Sequence, residues 1–185
     1  MRTFIAIDLD ENIKKELAAF INEMCNLPAS IRWTHSKGMH LTLKFLGEIK
    51  EDQIPAIMKL LENTTAFFKS FTLEFKGTGW FPPGSRFPRV IWAGCQENEI
   101  ILSLQQTIED DLEKLHFQRD KKTYHPHLTL GRVRSNKNIH KVVDELIRQS
   151  DKNFGSMTVN KVTFFQSKLK PTGAEYLVLS EHMLK

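Results

Sequence analysis

His40-Leu41-Thr42-Leu43 recurs without change as His127-Leu128-Thr129-Leu130. A single His-x-Thr says little; two copies, each set in an alternating apolar run, say a good deal more. Successive side chains of a β-strand point to opposite faces. His40 and Thr42 therefore share one face, with Leu41 and Leu43 on the other, and the second copy repeats this parity. Each tetrapeptide reads as a strand whose back is core and whose front offers an imidazole beside a hydroxyl. If the two fronts meet, they bound a cleft with two acid–base groups and two hydrogen-bond donors. Such a cleft suits chemistry on a phosphate.

Outward from the motifs, strands and helices are read from apolar spacing. Residues 3–9 alternate as a strand, and Asp10 suits an N-cap before Ile13, Leu17, Phe20, Ile21 and Met24 at helical spacing. Pro28 ends that region. Residues 31–33 and 39–46 are predicted strands, and Asp52 opens a helix with Ile54, Ile57, Leu60 and Leu61 on one face. Strands at 71–75 and 79–81 precede a Pro/Gly loop at 82–88. A strand at 89–93 and a helix at 99–115 follow, the helix turning Ile100, Ile101, Leu104, Ile108 and Leu112 inward. The second motif strand spans 127–133, then come a helix at 138–149 and strands at 157–165 and 175–180, with a turn at Pro171-Thr172-Gly173.

An offset of 87 positions superposes His40 on His127, and Ile13, Leu17 and Ile21 on Ile100, Leu104 and Ile108. A slip of one residue superposes Phe4-Ile5-Ala6 on Val90-Ile91-Trp92, and Phe71-Thr72-Leu73 on Met157-Thr158-Val159. The order strand, helix, motif strand, helix, strand thus occurs twice, which favours duplication over a chance likeness of α/β units. The expected fold class is α+β: one domain over residues 1–185, made of two pseudo-symmetric lobes. The repeat units run roughly 1–87 and 88–175, and a last strand completes the fold. Two mainly antiparallel sheets are expected to face a central cleft, with helices on the outer faces.

The totals set the setting. With 185 residues, 41% hydrophobic and 26% charged, the chain is long enough for a substantial core and has an ordinary soluble composition. Its start lacks the basic end and apolar run of a signal peptide, and no stretch approaches the roughly 20 apolar residues of a membrane span. Cys25 and Cys95 are too few for a disulfide framework, so a cytoplasmic location is expected. A net charge of +4 leans toward an anionic partner.

Histidine, with an unperturbed pKa of about 6.5, serves equally as base or acid near neutrality. Two of them on opposite sides of a phosphodiester supply both proton transfers in line, while Thr42 and Thr129 donate to the non-bridging oxygens. Neither motif has Asp, Glu or Cys at metal-ligand spacing, and His125-Pro126-His127 is the nearest approach to a ligand pair. No metal and no cofactor are expected. His35, His116, His140 and His182 lack a partner pattern and read as surface or packing residues.

Taken together, HLTL at 40–43 and at 127–130, the N-terminal RTFIAIDL, and the segments FPRVIWAG, YHPHLTLGRVR and SKLKPTGAEYLVL resemble the 2H phosphoesterase superfamily. The resemblance is to its RNA 2′,3′-cyclic phosphodiesterase (2′–5′ RNA ligase-like) branch, and it covers nearly the whole chain. It implies a bilobal fold and metal-independent hydrolysis of a 2′,3′-cyclic phosphate end to a 2′-phosphomonoester. In that family the first-motif histidine is the proton donor to the leaving 3′ oxygen, which carries over to His40. The second activates water as proton acceptor, which carries over to His127. The sequence by itself does not distinguish these two roles. The implied partner is RNA or a nucleotide with a 2′,3′-cyclic phosphate; no membrane and no obligate protein partner are expected, and a monomer suffices.

Further substrate-binding candidates are Arg132 and Tyr124. Arg132 faces the cleft only if Gly131 introduces a bulge; Tyr124, with Trp80, Phe81 and Phe87, is a candidate platform for a base, although core packing suits Trp80 better. Lys44 has the parity to face the cleft, and a solvated strand-end lysine is its equal alternative. Arg86, Arg89, Arg119, Lys121 and Lys122 form either an RNA-binding rim or a solvated basic surface. Two other functions stay open: 2′–5′ joining of RNA ends at the same site, with a ribose hydroxyl in place of water, and a non-catalytic RNA- or phosphate-binding module.

Overall fold

Short polar side chains start the two long helices of the chain. The Asp10 carboxylate accepts from the Ile13 amide at 2.9 Å, and the Asn98 side chain accepts from the Ile101 amide at 2.9 Å, each satisfying a backbone donor that the first turn leaves unpaired. The computed structural model describes residues 1–35, 38–96, 98–170 and 173–185. Its elements, in order, are β1 (Arg2–Asp8), α1 (Glu11–Cys25), β2 (Ile31–Trp33), β3 (His40–Glu48), a 3-10 turn (Glu51–Gln53), α2 (Ile54–Thr65), β4 (Phe71–Phe81), β5 (Val90–Cys95), α3 (Glu99–Lys114), β6 (His127–Val133), α4 (Ile139–Arg148), β7 (Asn153–Val159), β8 (Lys161–Lys170) and β9 (Gly173–Met183).

The fold is α+β with two antiparallel sheets. One has the order β3-β1-β8-β9 and the other β2-β6-β5-β4-β7. Strands are exchanged between the two halves of the chain: β4 pairs with β5, and β8 returns to pair with β1. Helix α1 packs on β7, α4 on β4, α3 on β3 and α2 against α3. A single apolar core joins the backs of both motif strands, Leu41 and Leu43 with Leu128 and Leu130, to Ile5, Ile7, Ile91 and Ala93. The stripes expected on the helices supply the rest: Ile13, Leu17, Phe20, Ile21 and Met24 from α1, and Ile101, Leu104, Ile108 and Leu112 from α3. Ile100 is the exception. One residue from Ile101 it lies about 100° round the helix, outside the stripe, and it is 40% exposed.

Two strand assignments change. Residues 71–81 form one strand rather than two; the register slips between Phe75 and Thr78, where Gly77 takes a left-handed φ of +86°, and the pairing with β5 resumes beyond it. Residues 157–165, read as one strand, are parts of two. Val159 pairs with Phe71 in one sheet and Lys161 pairs with Met183 in the other, so the chain crosses between sheets at Asn160. The first two residues of the expected Pro171-Thr172-Gly173 turn lie outside the described residues. Other boundaries move by a few residues, as strand and helix ends commonly do.

Candidate active site

The motif strands meet. β3 and β6 are in contact although they belong to different sheets. Tyr124 Oη donates to the Thr42 carbonyl at 3.0 Å, and the Thr34 amide, at the end of β2, donates to the Leu130 carbonyl at 2.8 Å. In both strands the leucines are buried while the histidine and threonine are half-buried on the opposite face. Among the described residues neither the Thr42 nor the Thr129 hydroxyl bonds to another protein group, so each is free to donate to a ligand.

Aromatic rings from three strands enclose His40. Phe4 stacks on its imidazole at 4.5 Å and 28°, Tyr176 meets it edge-on at 5.0 Å, and Phe165 stands 6.1 Å away. Burial among these rings lowers the His40 pKa to about 4, because a charged imidazole loses hydration there. A hydrogen bond with the Gly38 backbone and the charge of Asp8 act in the opposite sense, and Lys14, itself paired with Asp8 at 3.1 Å, adds to the lowering.

His127 is held differently. Its Nδ1 lies 2.7 Å from the His125 carbonyl, and a carbonyl only accepts, so Nδ1 carries the hydrogen. The neutral ring then presents the lone pair of Nε2, the form required of a base. Phe81 packs edge-on against this ring at 5.0 Å.

Arg132 meets the condition set for it. The β5–β6 register slips so that Thr129 faces Trp92 and Gly131 faces Ile91, leaving Leu130 as the extra residue. Gly131 thereby turns toward the core; a Cβ there would stand 2.8 Å from Ile31 Cγ2 and from Trp33 Cε3. Arg132, opposite Val90, is left on the His127 face and exposed.

A slip in β3 has the opposite consequence for Lys44. Ile5 faces Lys44 while Ala6 faces Thr42, and Lys44 turns inward to 2% exposure. Its ammonium pairs with Glu109 at 2.9 Å and Asp120 at 3.3 Å and donates to the Gln118 carbonyl at 2.9 Å. It neither stands beside His40 and Thr42 nor is solvated.

Tyr124 also needs correcting. Its ring packs against the apolar core and its hydroxyl is bonded to the Thr42 carbonyl, so it ties the loop that leads into β6 to β3 instead of offering a flat face to a base. Burial pushes its phenol pKa well above the usual value. Trp80 packs on the core with Nε1 donating to the Ser85 carbonyl at 3.0 Å, whereas Phe87 is exposed. The cage of Phe4, Phe165 and Tyr176 was missed by sequence reasoning. The one available signal was that Phe4, Ala6 and Asp8 share a face of their strand.

Two hollows, of about 440 and 450 Å³, lie between residues 44–48 and 116–120 and between α2 and α3, and neither is lined by a motif histidine. Among the described residues no three His, Cys, Asp or Glu side chains converge as metal ligands, and no helix is long and apolar enough to cross a membrane.

An RNA 2′,3′-cyclic phosphodiesterase of Archaeoglobus fulgidus is 36% identical over 177 residues, covering 95% of this chain and 96% of its own length. One from Methanocaldococcus jannaschii is 33% identical over 181 residues, covering 98% and 99%. The crystal structure of TT0787 of Thermus thermophilus matches with a TM-score of 0.84 at 28% identity, over 100% of this chain and 98% of that one. The sequence model of the 2′-5′ RNA ligase superfamily matches residues 15–170, and the chain belongs to that family.

Proposed function

We propose that this chain hydrolyses the 2′,3′-cyclic phosphate end of RNA to a 2′-phosphomonoester, with His40 and His127 as the acid–base pair and no metal in the step. One observation carries the proposal: two identical His-x-Thr fronts, on strands in contact and tied through Tyr124 to Thr42 at 3.0 Å. The names of the relatives support the substrate class.

In the proposed reaction Nε2 of His127 takes a proton from water as its oxygen bonds to phosphorus. The bond from phosphorus to O3′ breaks on the far side, and His40 gives its proton to that oxygen, leaving the phosphate on O2′. Thr42 and Thr129 hold the non-bridging oxygens, where negative charge stays concentrated through the transition state. The His125 carbonyl supports the role of His127, since it fixes the tautomer with a basic Nε2. A donor whose pKa is about 4 is mostly unprotonated at neutral pH. A phosphodiester anion against the ring favours the charged imidazole, so protonation of His40 is coupled to substrate binding.

The test is incubation with a nucleoside 2′,3′-cyclic phosphate in EDTA, followed by analysis of the product. Release of the 2′-phosphate supports the assignment; the 3′-phosphate would reverse the leaving group, and binding without turnover would leave a phosphate-binding module. Adding an RNA with a free 5′ hydroxyl checks the joining reaction, in which that hydroxyl replaces water and a 2′–5′ linkage forms.

A further inference from the structure

Arg32 of β2 and Arg132 of β6 stand directly opposite each other in an antiparallel pair. Their strand neighbours Ile31, Trp33 and Val133 pack against the apolar core, so both guanidinium stems leave on the other face, the one that carries His127 and Thr129. Both arginines are exposed. Facing partners of this kind hold their Cβ atoms about 4.5–5.5 Å apart, and like charges in that position destabilise the strand pair. Some cations elsewhere do find carboxylates: Arg119 pairs with Asp110 and Glu113, Arg148 with Glu145, and Lys44 with Glu109. Among the described residues neither Arg32 nor Arg132 has a carboxylate within ion-pair distance. An anion shared by the two forks relieves the repulsion, and phosphate matches the planar guanidinium in charge and in bidentate geometry.

The register gives the distance from the chemistry. Thr129 faces Trp92 and Arg132 faces Val90, two residues farther along β5, or about 7 Å. That is comparable with the step between successive phosphates of a nucleic-acid strand. We infer that Arg32 and Arg132 form a second phosphate subsite, one nucleotide from the cyclic phosphate, which takes the phosphate on the 5′ oxygen of the terminal nucleotide. The inference rests on the proposed cyclic phosphodiesterase reading of the motif face. It makes the preferred substrate the end of an RNA chain rather than a free cyclic mononucleotide.

The experiment compares kcat/KM for a nucleoside 2′,3′-cyclic phosphate, the same compound phosphorylated on its 5′ oxygen, and a dinucleotide ending in the cyclic phosphate. Wild-type protein is expected to favour both substrates bearing the extra phosphate, and Arg32→Gln to lower that preference about tenfold, the effect of one lost charge-assisted hydrogen bond. Arg32→Lys keeps the charge without the fork and is expected to fall between. For binding of the dinucleotide, the dependence of log K on log salt should flatten by about 0.7 in Arg32→Gln. Removing one of two facing like charges should leave the melting temperature no lower, which separates the subsite from a structural role. A preference that Arg32→Gln leaves intact, or a gain with the dinucleotide alone, overturns the subsite while the cyclic phosphodiesterase reading stands. No turnover of any of the three substrates by wild-type protein overturns that reading, and the subsite with it.

Discussion

The imidazole of His40 is enclosed by Phe4, Phe165 and Tyr176, and that enclosure governs its titration. Followed by NMR, the ring is expected to titrate near 4 in the free protein, to move up when inorganic phosphate binds, and to move toward 6.5 in Tyr176→Ala as water reaches it. A ring titrating near 6.5 in the wild type would show that burial does not control it. The linkage has a definite sign. The folded pKa lies below the unfolded value, so the unfolded chain binds more protons between the two. The stability contributed by neutral, buried His40 is full above about 6.5 and is lost as the pH falls toward about 4. Thermal melts of wild type against His40→Gln across this range measure it: the wild type should lose ground as the pH drops, and parallel curves would sink the claim. For turnover, His40→Ala and His127→Ala are each expected to lower the rate on the order of 10²–10⁴-fold, with the double variant far from additive. At this scale the sequence was most legible. The parity of His40 with Thr42 and of His127 with Thr129 is local, and two identical tetrapeptides make it visible. The aromatic cage was not legible, because Phe4, Phe165 and Tyr176 meet only once three strands are in register.

At the scale of elements, register slips decide which side chains stand on the motif faces. One slip turns Lys44 inward and another keeps Arg132 on the motif face. Only the second was anticipated, because Gly131 advertises it; nothing in Leu43-Lys44-Phe45 does. Lys44 instead joins β3 to α3 through Glu109, with Gln105 Nε2 bridging Glu109 at 3.3 Å and the Leu43 carbonyl at 3.4 Å. Glu109 Oε2 is buried without a hydrogen-bond partner, which leaves this carboxylate dependent on the lysine. Lys44→Met is therefore expected to cost about 3–5 kcal/mol, whereas Lys44→Met with Glu109→Leu should recover most of it, since an apolar pair of similar volume is often neutral. Denaturant unfolding of the two single variants and the double measures the coupling. A single variant within about 1 kcal/mol of wild type, on the same unfolding scale, would mean that the pair is solvated in practice. The turn from β7 to β8 was illegible for a related reason. The run Met157-Thr158-Val159-Asn160-Lys161-Val162 contains no Gly or Pro, yet a single residue carries the chain from one sheet to the other.

For the molecule as a whole, the exchange of strands bears on whether the two halves of the chain are separable. β1 lies between the motif strand β3 and β8, while β5 lies between the motif strand β6 and β4. Strands β2 and β4 of the first half thus complete the sheet of β5 and β6, while β8 and β9 of the second half complete the sheet of β1 and β3. The offset of 87 positions pointed to a repeat, but the exchange of strands between the halves was invisible, because nothing in Phe71-Thr72-Leu73 tells which sheet it joins. A cut after residue 87 would strip β5 of its β4 neighbour and β1 of its β8 neighbour, and would divide an apolar core shared by both motif strands. Two autonomous lobes predict the opposite outcome from two interlocked ones. Full-length protein is expected to unfold in one cooperative transition, with circular dichroism and tryptophan fluorescence coincident. Residues 1–87 and 88–185 made separately are expected to show no cooperative melt and no turnover. Mixed, they should regain both, since each supplies the strand and the histidine that the other lacks. Fragment 1–87 melting cooperatively by itself would show that the lobe holding His40 stands without β8, and that the exchange is decoration on two independent units.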